Sequence, residues 1–143
     1  MTVIFSKKCE LGLQAVLFLS AQPPDKMFNS GEISKKLKVP KEFVSKVLQN
    51  LTDSKIVDSR KGKGGGFYLR KDPNTITLID IVIAIDGLEL FHKCVLGFPE
   101  CSPDKPCPVH NTWGKLRDET YNMLSKQTLA ELRDDTIKKI NQI

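Results

Sequence analysis

Three cysteines lie close together in the stretch Phe91 to Trp113, which reads FHKCVLGFPECSPDKPCPVHNTW. Cys94, Cys101 and Cys107 follow the pattern C-x6-C-x5-C, and Pro108, Val109 and His110 come directly after. Thiolates are soft ligands for zinc, iron and iron–sulfur clusters. Pro99, Pro103, Pro106 and Pro108 break the stretch, so it is read neither as a helix nor as a central strand. An irregular loop can bring its thiols to one point. Three thiols cannot all pair with one another, so internal disulfides leave one over. A metal or cluster is the first reading. A disulfide or unliganded thiols remain open beside it. Structural zinc commonly uses tighter C-x2-C pairs, and the wider spacing leaves room for a larger object such as a cluster.

The elements that must position this loop come from the rest of the chain. At 143 residues the sequence is one domain, or one small domain with an appended element. No apolar run is long enough to span a bilayer, and the N-terminus has no signal-peptide pattern. A reducing cytoplasm is therefore expected, where ligation or redox sensing outranks structural disulfides. Charge divides the chain. Residues 1–73 carry 14 Lys/Arg against 7 Asp/Glu, a balance of +7; residues 74–143 carry 8 against 10, a balance of −2. A basic first half suits a polyanionic partner, with a lysine-rich solvated surface as the alternative.

Helical spacing of Leu11, Ala15, Phe18 and Leu19 predicts a first helix over 5–21, with Ser6 as N-cap. Gln22-Pro-Pro-Asp breaks it. Phe28 and Asn29 suit a short extended piece. Ser30 is expected to cap a second helix over 31–37. Lys38-Val39-Pro40 is a turn, with Pro40 expected at the first position of a third helix running to about Ser54. Phe43, Val47, Leu48 and Leu51 form that helix's expected inner stripe. Lys41, Glu42, Ser45, Lys46 and Gln49 fall outside it. Two short helices joined by a tight turn make a helix-turn-helix, with the second helix expected in the DNA major groove.

A strand beginning at Ile56-Val57 leads into Arg60-Lys61-Gly62-Lys63-Gly64-Gly65-Gly66-Phe67-Tyr68, a hairpin with a flexible basic tip. This is the winged-helix order. No GK[ST] follows the glycines and no helix begins there, so a phosphate loop is rejected. Arg60, Lys61, Lys63 and Tyr68 are the expected DNA contacts of the wing. Thr77 with Asp80 makes a capping-box pattern, and Gly87 suits a helix end, so 77–85 is read as helix despite its β-branched run. A longer helix is expected over 111–126. Trp113, Leu116, Thr120, Met123 and Leu124 lie along one side of it, and a second copy of the chain is the expected partner for that stripe. The alternative folds the stripe back on the first helix. Thr128 and Glu131 suggest a cap for a last helix.

Together these features give a mainly α fold with a small β-hairpin wing. A winged helix-turn-helix DNA-binding domain covers 1–87, the cysteine loop 88–110, and a dimerisation helix with a C-terminal helix 111–143. The wing, the Thr77-Leu78-Ile79-Asp80-Ile81 segment, the three-cysteine loop and Thr128-Leu129-Ala130-Glu131-Leu132 resemble the winged-helix bacterial transcription regulators of the IscR, NsrR and CymR type. The resemblance covers nearly the whole chain. It implies a homodimer, a palindromic operator in double-stranded DNA, and one iron–sulfur cluster, 2Fe-2S or 4Fe-4S, per subunit, with Cys94, Cys101 and Cys107 as ligands. The first interval here is x6, one residue more than the x5 of those proteins. His110 resembles their fourth ligand; Glu10, at a position where some members place a carboxylate that ligates from the partner subunit, is the rival. Cys9 is read as core. The implied function is a regulator, expected to be a repressor, that senses cluster status, redox state or nitric oxide. A cluster-free thiol regulator of the same fold is the alternative. With no nucleotide fingerprint, no acid–base constellation and only His92 and His110 as histidines, an enzyme is not expected.

Overall fold

A computed structural model describes residues 4–143. The helices are α1 (Lys7–Ser20), α2 (Ser30–Leu37), α3 (Lys41–Asp53), α4 (Leu78–Ile85), α5 (His110–Lys126) and α6 (Arg133–Asn141). Between α3 and α4 lie the strands β1 (Val57–Arg60) and β2 (Gly66–Leu69). Among the described residues no helix is long and apolar enough to cross a membrane.

The core fills the space between α1, α2, α3 and the base of the hairpin. Phe18, Ile33, Val44, Val47, Leu48, Leu51, Val57 and Ile81 are all buried there. The inner stripe of α3 begins at Val44; Phe43, expected to lie in it, is only half-buried. Residues 44, 47, 48 and 51 are one continuous face at 3.6 residues per turn, and residue 43 sits about 100° off Val44. The second helix is capped by Asn29, which accepts from Glu32 N–H (2.8 Å) while the Glu32 carboxylate accepts from Asn29 N–H (3.3 Å). Ser30, expected as the cap, is the first helical residue. Pro40 sits one position earlier than expected, as the extended residue before α3. Lys38 takes a left-handed conformation (φ 57) that closes the tight turn between α2 and α3.

The hairpin is antiparallel, with Val57 opposite Leu69 and Arg60 opposite Gly66. Phe28 adds a separate bridge to β2: its N–H donates to Phe67 O (3.1 Å), and Phe67 N–H donates to Phe28 O (2.7 Å). Gly66 permits this approach. A Cβ there would lie 2.6 Å from the Phe28 carbonyl carbon. The wing is therefore anchored to the segment that leads into the helix-turn-helix.

The base of α4 is fixed by Asp80, whose carboxylate accepts from Thr77 N–H (2.9 Å). Gly87, at φ +74, ends the helix as expected. Asp86 ties this end to α1. It accepts from Ser6 N–H (3.0 Å) and from the Ser6 hydroxyl, while Ser6 Oγ accepts from Cys9 N–H (3.0 Å) and caps α1. Helix α4 then packs on α1, α3 and α5, placing it between the helix-turn-helix and the C-terminal elements.

Three expectations for the C-terminal part are corrected. Helix α5 begins at His110 rather than Asn111, because Pro108 is followed by a turn in which His110 N–H donates to Cys107 O (3.1 Å). Thr128 Oγ1 accepts from Glu131 N–H (3.3 Å), yet α6 starts only at Arg133. Residues 128 and 129 are held instead by a bridge to Thr77 and a bond from Leu129 N–H to Ile76 O (2.8 Å). Leu124, expected in a contact between two copies, is 3% exposed and packs with Cys9, Ile79, Val82 and Phe91 of its own chain.

Candidate functional site

Each cysteine of the loop stands next to a local turn. Gly97 N–H donates to Cys94 O (3.0 Å), and Gly97 takes φ +81, a conformation that L residues avoid. Ser102 and Lys105 close a second turn through reciprocal backbone bonds of 3.3 and 3.1 Å. The Cys107–His110 turn is the third. These reversals bring Cys94 Sγ, Cys101 Sγ and Cys107 Sγ within 4.8 Å of one another. All three cysteines are half-exposed and unpaired.

His110 Nδ1 lies 3.3 Å from Cys101 Sγ, so the imidazole borders the sulfur triad from the first turn of α5. Trp113, one turn further on, donates its indole N–H to Lys93 O (3.2 Å) and fastens the start of the loop to α5. His92, Lys93, Trp113 and Arg117 complete the walls of the crevice.

The thiols are not equivalent. Desolvation opposes the Cys94 thiolate, but backbone N–H groups of Phe98 and Leu96 and the thiols of Cys107 and Cys101 outweigh it, and the pKa falls from 9.0 to about 7. Cys107 is shifted upward, first by desolvation and then by its role as donor to the neighbouring sulfurs. Cys9 is fully buried on α1, and burial, together with the Asp86 carboxylate, pushes its thiol up to about 12. Glu10 stands apart from the triad on α1. Its Oε1 is buried with no hydrogen-bond partner, 3.7 Å from Lys7 Nζ.

The expected DNA-facing residues occupy two neighbouring surfaces. Lys41, Glu42, Ser45, Lys46 and Gln49 are all exposed along one stripe of α3. Ser45 Oγ donates to Lys41 O (3.1 Å), and Gln49 Nε2 donates to Asp53 Oδ1 (3.1 Å). On the wing, Arg60, Lys61 and Lys63 are exposed while Tyr68 is half-buried. Of the expected α5 stripe, Leu116 (53%) and Met123 (58%) are open, and Trp113 and Thr120 are half-buried.

A helix-turn-helix, a glycine-tipped basic hairpin and a helical C-terminal extension define a winged-helix transcription regulator. The chain belongs to the Rrf2 family, described as iron-dependent transcriptional regulators, whose model matches residues 5–135. A candidate HTH-type transcriptional regulator of Aquifex aeolicus (strain VF5) is 33% identical over 132 residues, 91% of each chain. Among solved structures, CymR (YrzC), the global cysteine regulator of B. subtilis, superposes with a TM-score of 0.76 at 21% identity, over 93% of this chain and 98% of that one. IscR of T. potens superposes with a TM-score of 0.72 at 22% identity, over 94% and 88%. These two likenesses are likenesses of fold. The family regulates transcription; its members are not enzymes.

Proposed function

We propose that the chain is a DNA-binding repressor whose affinity for a palindromic operator is set by an iron–sulfur cluster at Cys94, Cys101 and Cys107. The observation that carries this reading is the convergence of the three sulfurs within 4.8 Å. The donor set fits. Three soft thiolates with no carboxylate among them suit iron–sulfur chemistry or zinc, and not magnesium or calcium. The iron-dependent description of the family favours iron over zinc. A bound cluster would supply a centre that reacts with oxidants and nitric oxide.

The chain's own residues convert that occupancy into DNA affinity. The loop thiolates would hold the cluster, and the Trp113–Lys93 bond fastens the start of the loop to α5. Helix α5 packs on α4, and α4 on α3. In a homodimer joined through Leu116, Thr120 and Met123, the pose of α5 fixes the spacing of the two α3 helices. Lys41, Glu42, Ser45, Lys46 and Gln49 then meet base edges or phosphates, while Arg60, Lys61 and Lys63 meet the backbone or minor groove. On this reading residues 1–87 are the reader, 88–110 the sensor loop and 111–143 the coupling element. The coupling free energy is about 1–3 kcal/mol.

Anaerobic purification followed by visible absorption and iron and sulfide counts tests the reading. Serine at Cys94, Cys101 or Cys107 is expected to remove the colour and the iron, and Cys9→Ser to retain both. If His110 is the fourth ligand, His110→Ala gives a labile, spectrally altered cluster and Glu10→Ala changes little. The reverse pattern assigns the site to Glu10 of the partner subunit. A reconstituted wild type without iron, sulfide or visible absorption sinks the proposal.

The acidified Cys94 thiol supports a second reading, a cluster-free thiol regulator. An oxidant would take two electrons and two protons from a pair of loop thiols and leave a disulfide. Colourless anaerobic protein whose operator affinity changes on oxidation would favour it.

A further inference from the structure

A crevice of about 410 Å³ opens at the base of the wing, on the side away from the basic tip. It is built from three separate segments: the end of α1 with the turn after it (residues 19–26), the end of β2 with the residues after it (68–73), and Arg133 at the start of α6. We propose that this crevice binds a small phosphorylated metabolite, independently of any metal or cluster in the cysteine loop.

Four cations line it: Lys26, Arg70, Lys71 and Arg133. None of them forms an ion pair with another described residue. Asp72 is the sole acid in the lining, and its Oδ1 is already engaged by Asn74 N–H (2.9 Å) and Asn74 Nδ2 (3.0 Å). Asp25, Asp134 and Asp135 are close in sequence but do not line the crevice. The walls therefore carry an uncompensated positive charge in a concave setting, where like charges are brought together and an anion is favoured. Two arginines supply forked donors that match phosphate oxygens bidentately.

Shape favours a small molecule over the DNA backbone. The volume lies in the range of ligand pockets, about 300–1,000 Å³. Leu19, Pro23, Leu69 and Pro73 give it apolar walls, which a phosphate in a duplex does not need. Gly66 and Phe67 of β2 lie between the crevice lining and the wing tip, roughly 7 Å at about 3.3 Å per residue. Arg133 belongs to the C-terminal helix, so an anion here would bridge α6 to the base of the wing and hold the DNA-reading hairpin against the rest of the chain.

Inorganic pyrophosphate is the probe. Calorimetric titration at low salt is expected to show saturable binding to the full chain. The double substitution Arg70→Gln with Arg133→Gln should weaken it at least tenfold, while Lys138→Gln, on α6 outside the crevice, should leave it unchanged. Thermal unfolding of the double variant confirms that it is folded; if it is not, Lys71→Gln alone is expected to weaken binding threefold or more. Absent binding to wild type, or equal loss with Lys138→Gln, overturns the proposal. A second arm uses duplexes that the protein selects from random sequence, trimmed to the site or extended by ten base pairs on each side. The proposal expects the double variant to bind both lengths as wild type does. A loss confined to the extended duplex assigns the crevice to flanking DNA and also overturns it.

Discussion

The winged-helix core and the loop between α4 and α5 share four cysteines and treat them in opposite ways. Cys9 is sealed among Ile79, Val82, Phe91 and Leu124, and its thiol is held in the protonated form. Cys94, Cys101 and Cys107 stand half-exposed on backbone turns, with a histidine against one of them. Burial makes a cysteine a small hydrophobe; convergence on an accessible loop makes it a ligand or a nucleophile. The same contrast holds for the leucines. Leu48 is fully buried, whereas Leu96 is 54% exposed.

The largest expected effect is in thiol reactivity. At pH 7 about half of Cys94 is thiolate, given its pKa near 7, while Cys9, near 12, is protonated throughout the neutral range. Iodoacetamide should label Cys94 in the metal-free protein much faster than the buried Cys9, as peptide mass mapping reads it. Labelling of Cys94 should fall as pH drops below about 7, because the thiolate exists above its pKa. Comparable labelling of Cys9 would dissolve the contrast between the two regions.

A smaller effect compares packing. Leu48→Ala should cost about 2–5 kcal/mol of folding stability through lost contacts and a residual cavity. Leu96→Ala should stay within about 0.5 kcal/mol. Denaturant midpoints check both, and a large cost at Leu96 would mean that the loop is packed as the core is.

The smallest effect separates the basic half from the acidic one. Lys63→Ala on the wing should lower the slope of log affinity against log salt by about one charge, with similar loss on all sequences. Lys115→Ala, exposed on α5, should leave both affinity and slope alone. An unchanged slope for Lys63→Ala would remove the wing tip from the DNA interface.

Much of this arrangement was legible in local sequence. The α2–α3 pair, the glycine wing and the cysteine loop each follow from residues within a few positions of one another. What the sequence hid depends on distant partners or on competing local signals. Asn29 and Ser30 are both cap formers, and only the reciprocal bond with Glu32 decides between them. The delayed start of α6 comes from the bond between Leu129 and Ile76, more than fifty residues apart. An apolar stripe on a helix does not say which partner covers it. Leu124 is claimed by its own core, whereas Leu116 and Met123 are left open. The cationic crevice has no local signature, because its cations come from three separated segments.

Trp113 is the chain's one tryptophan, and its indole is bonded to Lys93 O at the edge of the sulfur crevice. The ultraviolet emission of the whole protein is therefore a local signal. Excited at the red edge, where Tyr68 and Tyr121 do not absorb, it arises from the joint between the loop and α5. Anything that loosens that joint, or sets an absorbing group beside it, changes the light the protein gives off, without any label being added.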